Sequence, residues 1–447
     1  MSLRPVAAGF VLGLRAPLRS RLVAALLALL AAAVVVLPAQ LQSDGTDAGT
    51  LRMTLTWTLG TAFVLLCAVS LWSGCAAFSC ELADRRFVGA AVSPASRFSL
   101  LAGRWLGLVA LDALLLAAVL AGTWAQLRAR GMDSARTAVR AVLEPAPDDV
   151  DREARRMFAL VFPDGAPADL GTDEEVLEAF RRELAGSSHL SVGPGGRMRW
   201  RLRGPGAASA ADARLELRFV SAYGTMEGVA GALTLRAPDG RVLAEVPTGP
   251  SDPGIVRAAL PDGALAGVPE IEAEFVNLEP PDTGASVMLR HADALRVTVP
   301  GGGLPGNLLR TGLVLLSALS LLSALGLALG CVFSFPVAAF VSTALCAMAL
   351  AAPRGGDGRD AAAAHAHGHA APPSAAVRAT ERFSRAVGAG FDAVLAPFDR
   401  ARALDRLGDG LLVPLRETFA SVAADGAALS LLVGLLGAAA LRRREIP

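Results

Sequence analysis

The chain contains no lysine: its 42 basic residues are all arginine. That excludes a Walker A phosphate loop, whose G-x-x-x-x-G-K-[ST] pattern needs a lysine to reach the phosphates. The glycine runs "GPGG" and "PGGGLPGN" are turns with no phosphate-binding helix behind them. With so much Ala, Gly and Pro, the missing lysine reads as codon bias rather than chemistry. Charge is scarce as well. Charged residues make up 19% of the 447 positions and hydrophobic ones 53%, a balance typical of a membrane protein rather than a soluble globule. The net charge of +1 by itself says nothing about nucleic acid, so the distribution of charge matters more than the total; no nucleic-acid partner is expected.

Cysteine is sparse and confined. Cys67, Cys75, Cys80, Cys331 and Cys346 lie in or beside apolar runs, and none falls in the long polar middle. This excludes a disulfide framework and any Cys/His spacing suited to zinc. H-E-x-x-H and G-x-S-x-G are absent, and no His sits with carboxylates on an apolar segment, so the chain is not expected to be an enzyme. The run "HAHGH" carries His365, His367 and His369 in an Ala-rich setting without a carboxylate cage, so no metal is expected there.

What the chain does have is length of apolar run. A hydrocarbon core of about 30 Å needs about 20 apolar residues in a helix. Six segments approach that: Leu22–Pro38, Leu55–Phe78, Trp105–Leu127, Leu308–Leu329, Val332–Ala352 and Val422–Leu441. The basic leader is long and semi-apolar, and no small-x-small site precedes Gln40, so a cleaved signal peptide is not the reading. Arginines set the orientation. Arg4, Arg15, Arg19 and Arg21 precede the first run; Arg85, Arg86, Arg97 and Arg104 fill the turn after the second; Arg442, Arg443 and Arg444 end the chain. An even number of crossings puts all three groups in the cytoplasm, with both termini inside. Asp44 and Asp47 place the loop after the first span outside.

Two larger pieces then lie outside. In residues 128–306 the early part reads helical, with "DDVDREARRMFALVF", "TDEEVLEAFRREL" and Thr172 as an N-cap. From Met198 the pattern has period two, in short runs parted by Gly, Pro and Asp, which suggests a β-sandwich over 198–300. Residues 353–421 open in low complexity. They continue as an amphipathic helix with Val377, Phe383, Val387, Phe391 and Val394 on one stripe, suited to the membrane surface or to packing on the outer domain. The predicted fold is an α-helical polytopic membrane protein of six transmembrane helices with an inserted extracytoplasmic α+β domain ending in that sandwich. Its parts are an elbow over 1–21, helices one to three over 22–127, the inserted domain over 128–306, helices four and five over 307–352, the outer loop over 353–421, and the last helix and tail over 422–447.

The charged turn between the second and third runs suits a protein-docking peg: Phe87 and Val88 interleave with Arg85 and Arg86, and Pro94 breaks the piece. Glu81, Gly89, "PASR" at Pro94–Arg97 and "GRWLG" at Gly103–Gly107 follow in order, and the chain ends in "RRREIP". In these motifs the chain resembles permease subunits of ABC-2 type ABC transporters, with Arg104 where the family has lysine. The leader Leu3–Arg21 is similar to their elbow helix. The resemblance covers the membrane portion, about half the chain. It implies that the loop over 79–104 is a coupling element in which Glu81, Asp84, Arg85, Arg86, Phe87, Pro94, Arg97 and Arg104 dock a separate ATPase subunit. It also implies a dimer with a second permease copy or paralogue, residence in a bacterial plasma membrane with the large domain on the periplasmic side, and ATP and Mg used only by the partner. This chain itself would carry no cofactor. The large insertion departs from the family and leaves the cargo open. Without the resemblance, the same residues read as a membrane-anchored binding or scaffold protein acting through its β-domain.

Asp112 is an ionisable group inside the third span, a candidate intramembrane polar site or a snorkelling acid. Arg310 reads as an interfacial anchor at the start of the fourth. On that span Ser317, Ser320, Ser323, Gly326 and Gly330 recur at helical spacing, a face for close helix packing. Asn277 and Tyr223 fit turn or core roles in the β-domain.

Overall fold

The structure, a computed structural model, describes residues 3–40, 47–83, 97–131, 138–167, 172–185, 190–204, 212–221, 229–249, 254–281, 285–291, 293–351 and 403–443. It divides into a helical unit, drawn from residues 1–139, 302–352 and 373–447, and a sheet-rich unit drawn from 140–301.

The helical unit opens with α1 (Leu3–Leu18) and α2 (Arg21–Gln40), then α3 (Asp47–Thr54), a π-helical stretch at Leu55–Leu59, α4 (Gly60–Ala83) and α5 (Arg97–Ala129). Among the described residues four helices are long and apolar enough to cross a membrane: Gly49–Cys80, Phe98–Ala129, Leu304–Val332 and Leu415–Leu441. Of the six expected crossings, four correspond to single helices among the described residues. The first run lies in α2, which follows α1 across a 70° bend, so the two make a fifth crossing only as one broken span. Pro17 sits in the last turn of α1 and lacks the N–H that would continue the helix, which is why the chain turns there.

The sheet-rich unit begins with β1 (Ala138–Val142), α6 (Asp149–Val161), α7 (Asp173–Ala185) and β2 (Leu190–Val192). Thr172 closes a capping box at α7: Glu175 N–H donates to its hydroxyl at 3.4 Å, while the Glu175 carboxylate accepts from the Thr172 backbone N–H at 2.8 Å. Those donations hold the Glu175 carboxyl below its usual range. The strands that follow are β3 (Arg197–Arg203), β4 (Arg214–Arg218), β5 (Val220–Ser221), β6 (Gly231–Arg236), β7 (Val242–Thr248), β8 (Ile255–Ala259), β9 (Glu270–Asn277), β10 (Val287–Leu289) and β11 (Leu295–Gly303). They form three sheets, ordered β1-β11-β4-β8, β2-β10-β5 and β3-β9-β6-β7. Period-two alternation sends Met198, Trp200, Leu202, Ile271, Ala273 and Phe275 into one apolar core and leaves the arginines of β3 opposite the glutamates of β9. The expected helical stretch 128–190 thus also contains a strand, and the sandwich face is three sheets around a shared core.

Back in the helical unit, α8 (Leu304–Val332) is followed after a break by α9 (Phe335–Ala351). Helix α9 is described over 17 residues, about 26 Å. Phe333 is extended and Pro336 takes the first helical turn, so the expected span Val332–Ala352 starts late. Then come α10 (Ala403–Gly408), α11 (Leu415–Ser421), a π-helical stretch at Val422–Leu429 and α12 (Ser430–Arg443). The amphipathic stripe expected over 377–394 lies outside the described residues.

Glycine sets how close the helices come. A Cβ on Gly326 would lie 2.4 Å from the Leu71 carbonyl oxygen, and one on Gly330 would lie 2.5 Å from that of Cys75. Both contacts ascend together, so α4 and α8 run parallel. Arg130 bonds Thr54 and Arg104 bonds Ala77, so α5 runs against α4. Gly426 meets Ser317 and Gly437 meets Ala328, so the last span runs with α8. Gly103 and Gly107 take α1 in the same way, their Cβ positions 2.4 and 2.3 Å from the carbonyl oxygens of Val6 and Phe10.

These distances fix an outcome. Gly326→Ala should cost about 1–3 kcal/mol or more, because backbone on α4 must move. Gly60→Ala, with nothing within 4 Å, should be neutral or stabilising by about 0.5–1 kcal/mol. Thermal unfolding of the two variants in detergent checks the difference.

Candidate functional site

The glycine contacts bring three helices to one carboxylate. Asp112 on α5 is 1% exposed. Ser70 on α4 lies 2.8 Å from its Oδ1, and Ser323 on α8 donates to Oδ2 at 2.9 Å. Ser70 Oγ is also 2.9 Å from the carbonyl of Leu66, one turn back on its own helix. Among the described residues no arginine or histidine forms an ion pair with Asp112. Of the residues expected on this face, Ser323, Gly326 and Gly330 all meet α4, and Ser323 doubles as a hydrogen-bond donor to the acid. Ser70 carried no signal of its own, since a serine in an apolar run is ordinarily satisfied by its own helix.

Polar contacts continue along α8 toward the last span. Trp105 Nε1 donates to the Ser320 carbonyl at 3.1 Å. Ser320 Oγ donates to the Gly426 carbonyl at 3.0 Å, and Ser430 Oγ to the Asp425 carbonyl at 2.8 Å. Both accepting carbonyls lie in the π-helical stretch Val422–Leu429, where the winding is wider than in an α-helix. Asp425 within it is 3% exposed. This second buried acid is visible in the sequence as a lone carboxylate in an apolar run.

The docking turn needs a correction. Arg104 is not on an exposed loop: it is 3% exposed. Its guanidinium donates to the Ala77 carbonyl at 2.8 Å and lies 4.1 Å over the Phe78 ring. The reason is local. Helix α5 starts at Arg97, well before the apolar run begins, so "GRWLG" sits inside a helix and its two glycines receive α1. Glu81 lies in the last turn of α4, and Arg97 is the first residue of α5. Asp84, Arg85, Arg86, Phe87 and Pro94 lie outside the described residues, as do Tyr223, His365, His367, His369, Arg444 and Glu445. Arg310 donates to the Val413 carbonyl at 3.3 Å. No group of three or more metal-ligating side chains occurs among the described residues.

The sheet-rich unit holds a second polar centre. Asp149, at the start of α6, takes the backbone N–H of Arg201 at 2.7 Å and pairs with His291 Nε2 at 3.0 Å. The Trp200 ring stacks on His291 at 5.8 Å, and its Nε1 donates to the His291 carbonyl. Beside this cluster lies a cavity of about 200 Å³ lined by Arg152, Arg156, Arg236, Glu272 and their neighbours. Asn277 is buried and satisfied, donating to the carbonyls of Val192 and Ala285, a structural role.

Glu153 borders the cavity. Burial pushes its carboxyl above the usual range, against the pull of Arg156 at 2.7 Å. The folded chain therefore holds that proton more tightly than the unfolded one. Its stability falls as pH rises from the ordinary glutamate range through the higher folded value, and the loss is complete above it. Glu153→Gln should remove this slope and stabilise α6 at neutral pH; hydrogen exchange of α6 amides against pH reads it, and an unchanged slope would clear Glu153 of the effect.

No protein-family model matches the chain, and neither the curated proteins nor the solved structures give a match.

Proposed function

We propose that the chain is the membrane-spanning permease subunit of an ABC-2 type transporter. It works as a dimer with a second permease copy or paralogue and with separate ATPase subunits. The observation that carries this reading is the α4–α5 hairpin. Its two helices run antiparallel and are pinned by Arg104 against Ala77 and Phe78. Asp112 on the same α5 accepts from Ser323 of α8, so a movement of the hairpin would be passed to α8. That is the coupling an ATP-driven partner requires: closure of the ATPases moves the hairpin, and the hairpin moves the bundle.

Other features support the reading. The common direction of α4, α8 and the last span, opposed by α5, fits a six-crossing path with both ends in the cytoplasm. α1 lies against α5 and bends by 70° into α2, as an elbow would. The sheet-rich unit then stands on the periplasmic side of the plasma membrane, where its cavity would meet cargo or a partner.

The test is a mild-detergent pull-down of the full chain from its own cells, with an ATPase assay on the eluate. An ATP-hydrolysing partner is expected with the wild-type chain and lost with Asp84→Arg plus Arg85→Glu. A chain that elutes without one sinks the permease reading and leaves the sheet-rich unit, with its cavity lined by arginines and carboxylates, as the working part of a membrane-anchored binding protein.

A further inference from the structure

The junction of α4, α5 and α8 assigns a site to a proton. We propose that Asp112 binds one exchangeable proton when the three helices are together and releases it when they part. The inference rests on the helices lying in a membrane and not on the ATPase reading.

The argument is a count of hydrogens. Ser70 Oγ lies within hydrogen-bond distance of two oxygens, Asp112 Oδ1 at 2.8 Å and the Leu66 carbonyl at 2.9 Å. Its hydroxyl carries a single proton and donates well to one of them. With an ionised Asp112, one of these two contacts has no hydrogen. The negative charge also stands in an apolar bundle with no ion-pair partner among the described residues, and an isolated buried charge costs several kcal/mol or is neutralised. The elements packed around it bring no compensation. α4 contributes the thiol of Cys67, and α8 contributes Ser323. On α5 itself, Arg104 is turned to Ala77 and Phe78.

A neutral Asp112 resolves every contact. Its own O–H at Oδ1 donates to Ser70 Oγ, Ser70 donates to the Leu66 carbonyl, and Ser323 donates to Oδ2. Each hydrogen is used once and each short contact contains one.

The consequence is linkage. Parting the helices admits water, and the acid dissociates to a carboxylate and a proton; closing them takes one proton back. The closed-to-open ratio therefore falls by up to about tenfold per pH unit wherever the open state is ionised and the closed state is not. The backbone contacts at Gly74, Gly326 and Gly330 keep water out until α4 and α8 separate.

The experiment is infrared difference spectroscopy of the full chain in lipid nanodiscs, wild type against Asp112→Asn, at neutral pH. A carbonyl band of a protonated carboxyl, present in the wild type and lost in the variant, is expected, and it should fade as pH rises. Asn mimics the neutral acid, so Asp112→Asn should keep the wild-type Tm, whereas Asp112→Ala should lower it. A missing carboxyl band, or an Asn variant as unstable as the Ala variant, overturns the proposal. So does a band that sodium chloride removes at fixed pH while choline chloride does not, because the site would then belong to sodium.

Discussion

The helical unit depends on backbone touching backbone. Where Gly74, Gly326 and Gly330 bring α4 onto α8, no side chain stands between the helices. In a lipid environment apolar side chains gain little by leaving their surroundings, so association must come from close packing and from polar contacts that closeness permits. Here the second follows from the first. Ser70 and Ser323 reach the same carboxylate because the glycines have removed the distance between their helices. A bulkier contact would space α4 from α8 and strand Asp112 between two hydroxyls it could not bond at once. The same device appears where Gly9 and Gly13 of α1 cross Gly103 and Gly107 of α5.

Parts of this are legible in the sequence. The small-residue face of α8 shows in the spacing of Ser323, Gly326 and Gly330, and Asp112 stands out as a charge within an apolar run. Hydropathy, however, marks where lipid begins and not where a helix begins. α5 starts at Arg97 and the last span at Leu415, both ahead of their apolar runs, so Arg104 lies within a helix where hydropathy alone suggests a turn. Partner choice was also hidden. Ser70 and Asp112 are 42 positions apart, and Ser323 lies a further 211 positions from Asp112, with nothing local to link them.

The sheet-rich unit shows the same division. Alternation in "MRWRLRG" and "IEAEFVNLEP" shows which side chains enter the core, and the register of β3 on β9 then sets Arg199 opposite Glu274 and Arg201 opposite Glu272. Exposed pairs of this kind add little each, about 0.2–1 kcal/mol, and serve register more than stability. The Asp149–His291–Trp200 cluster has no such local signature. It joins positions 142 and 91 residues apart, from a helix start, a turn and a strand, and only the closed core brings them together.

The π-helical stretch at Val422–Leu429 makes the last span a spindle with an adjustable pitch. Such a stretch carries one residue more than ordinary winding would hold over the same rise. Rewinding it to an α-helix passes that residue along the axis and turns everything beyond by about 100°. Ser430, Gly434 and Gly437, which now face α5 and α8, would revolve as one body, while the segment anchored near Asn307 and Val413 stays where it is. The face the span offers its neighbours thus depends on how eight residues are wound.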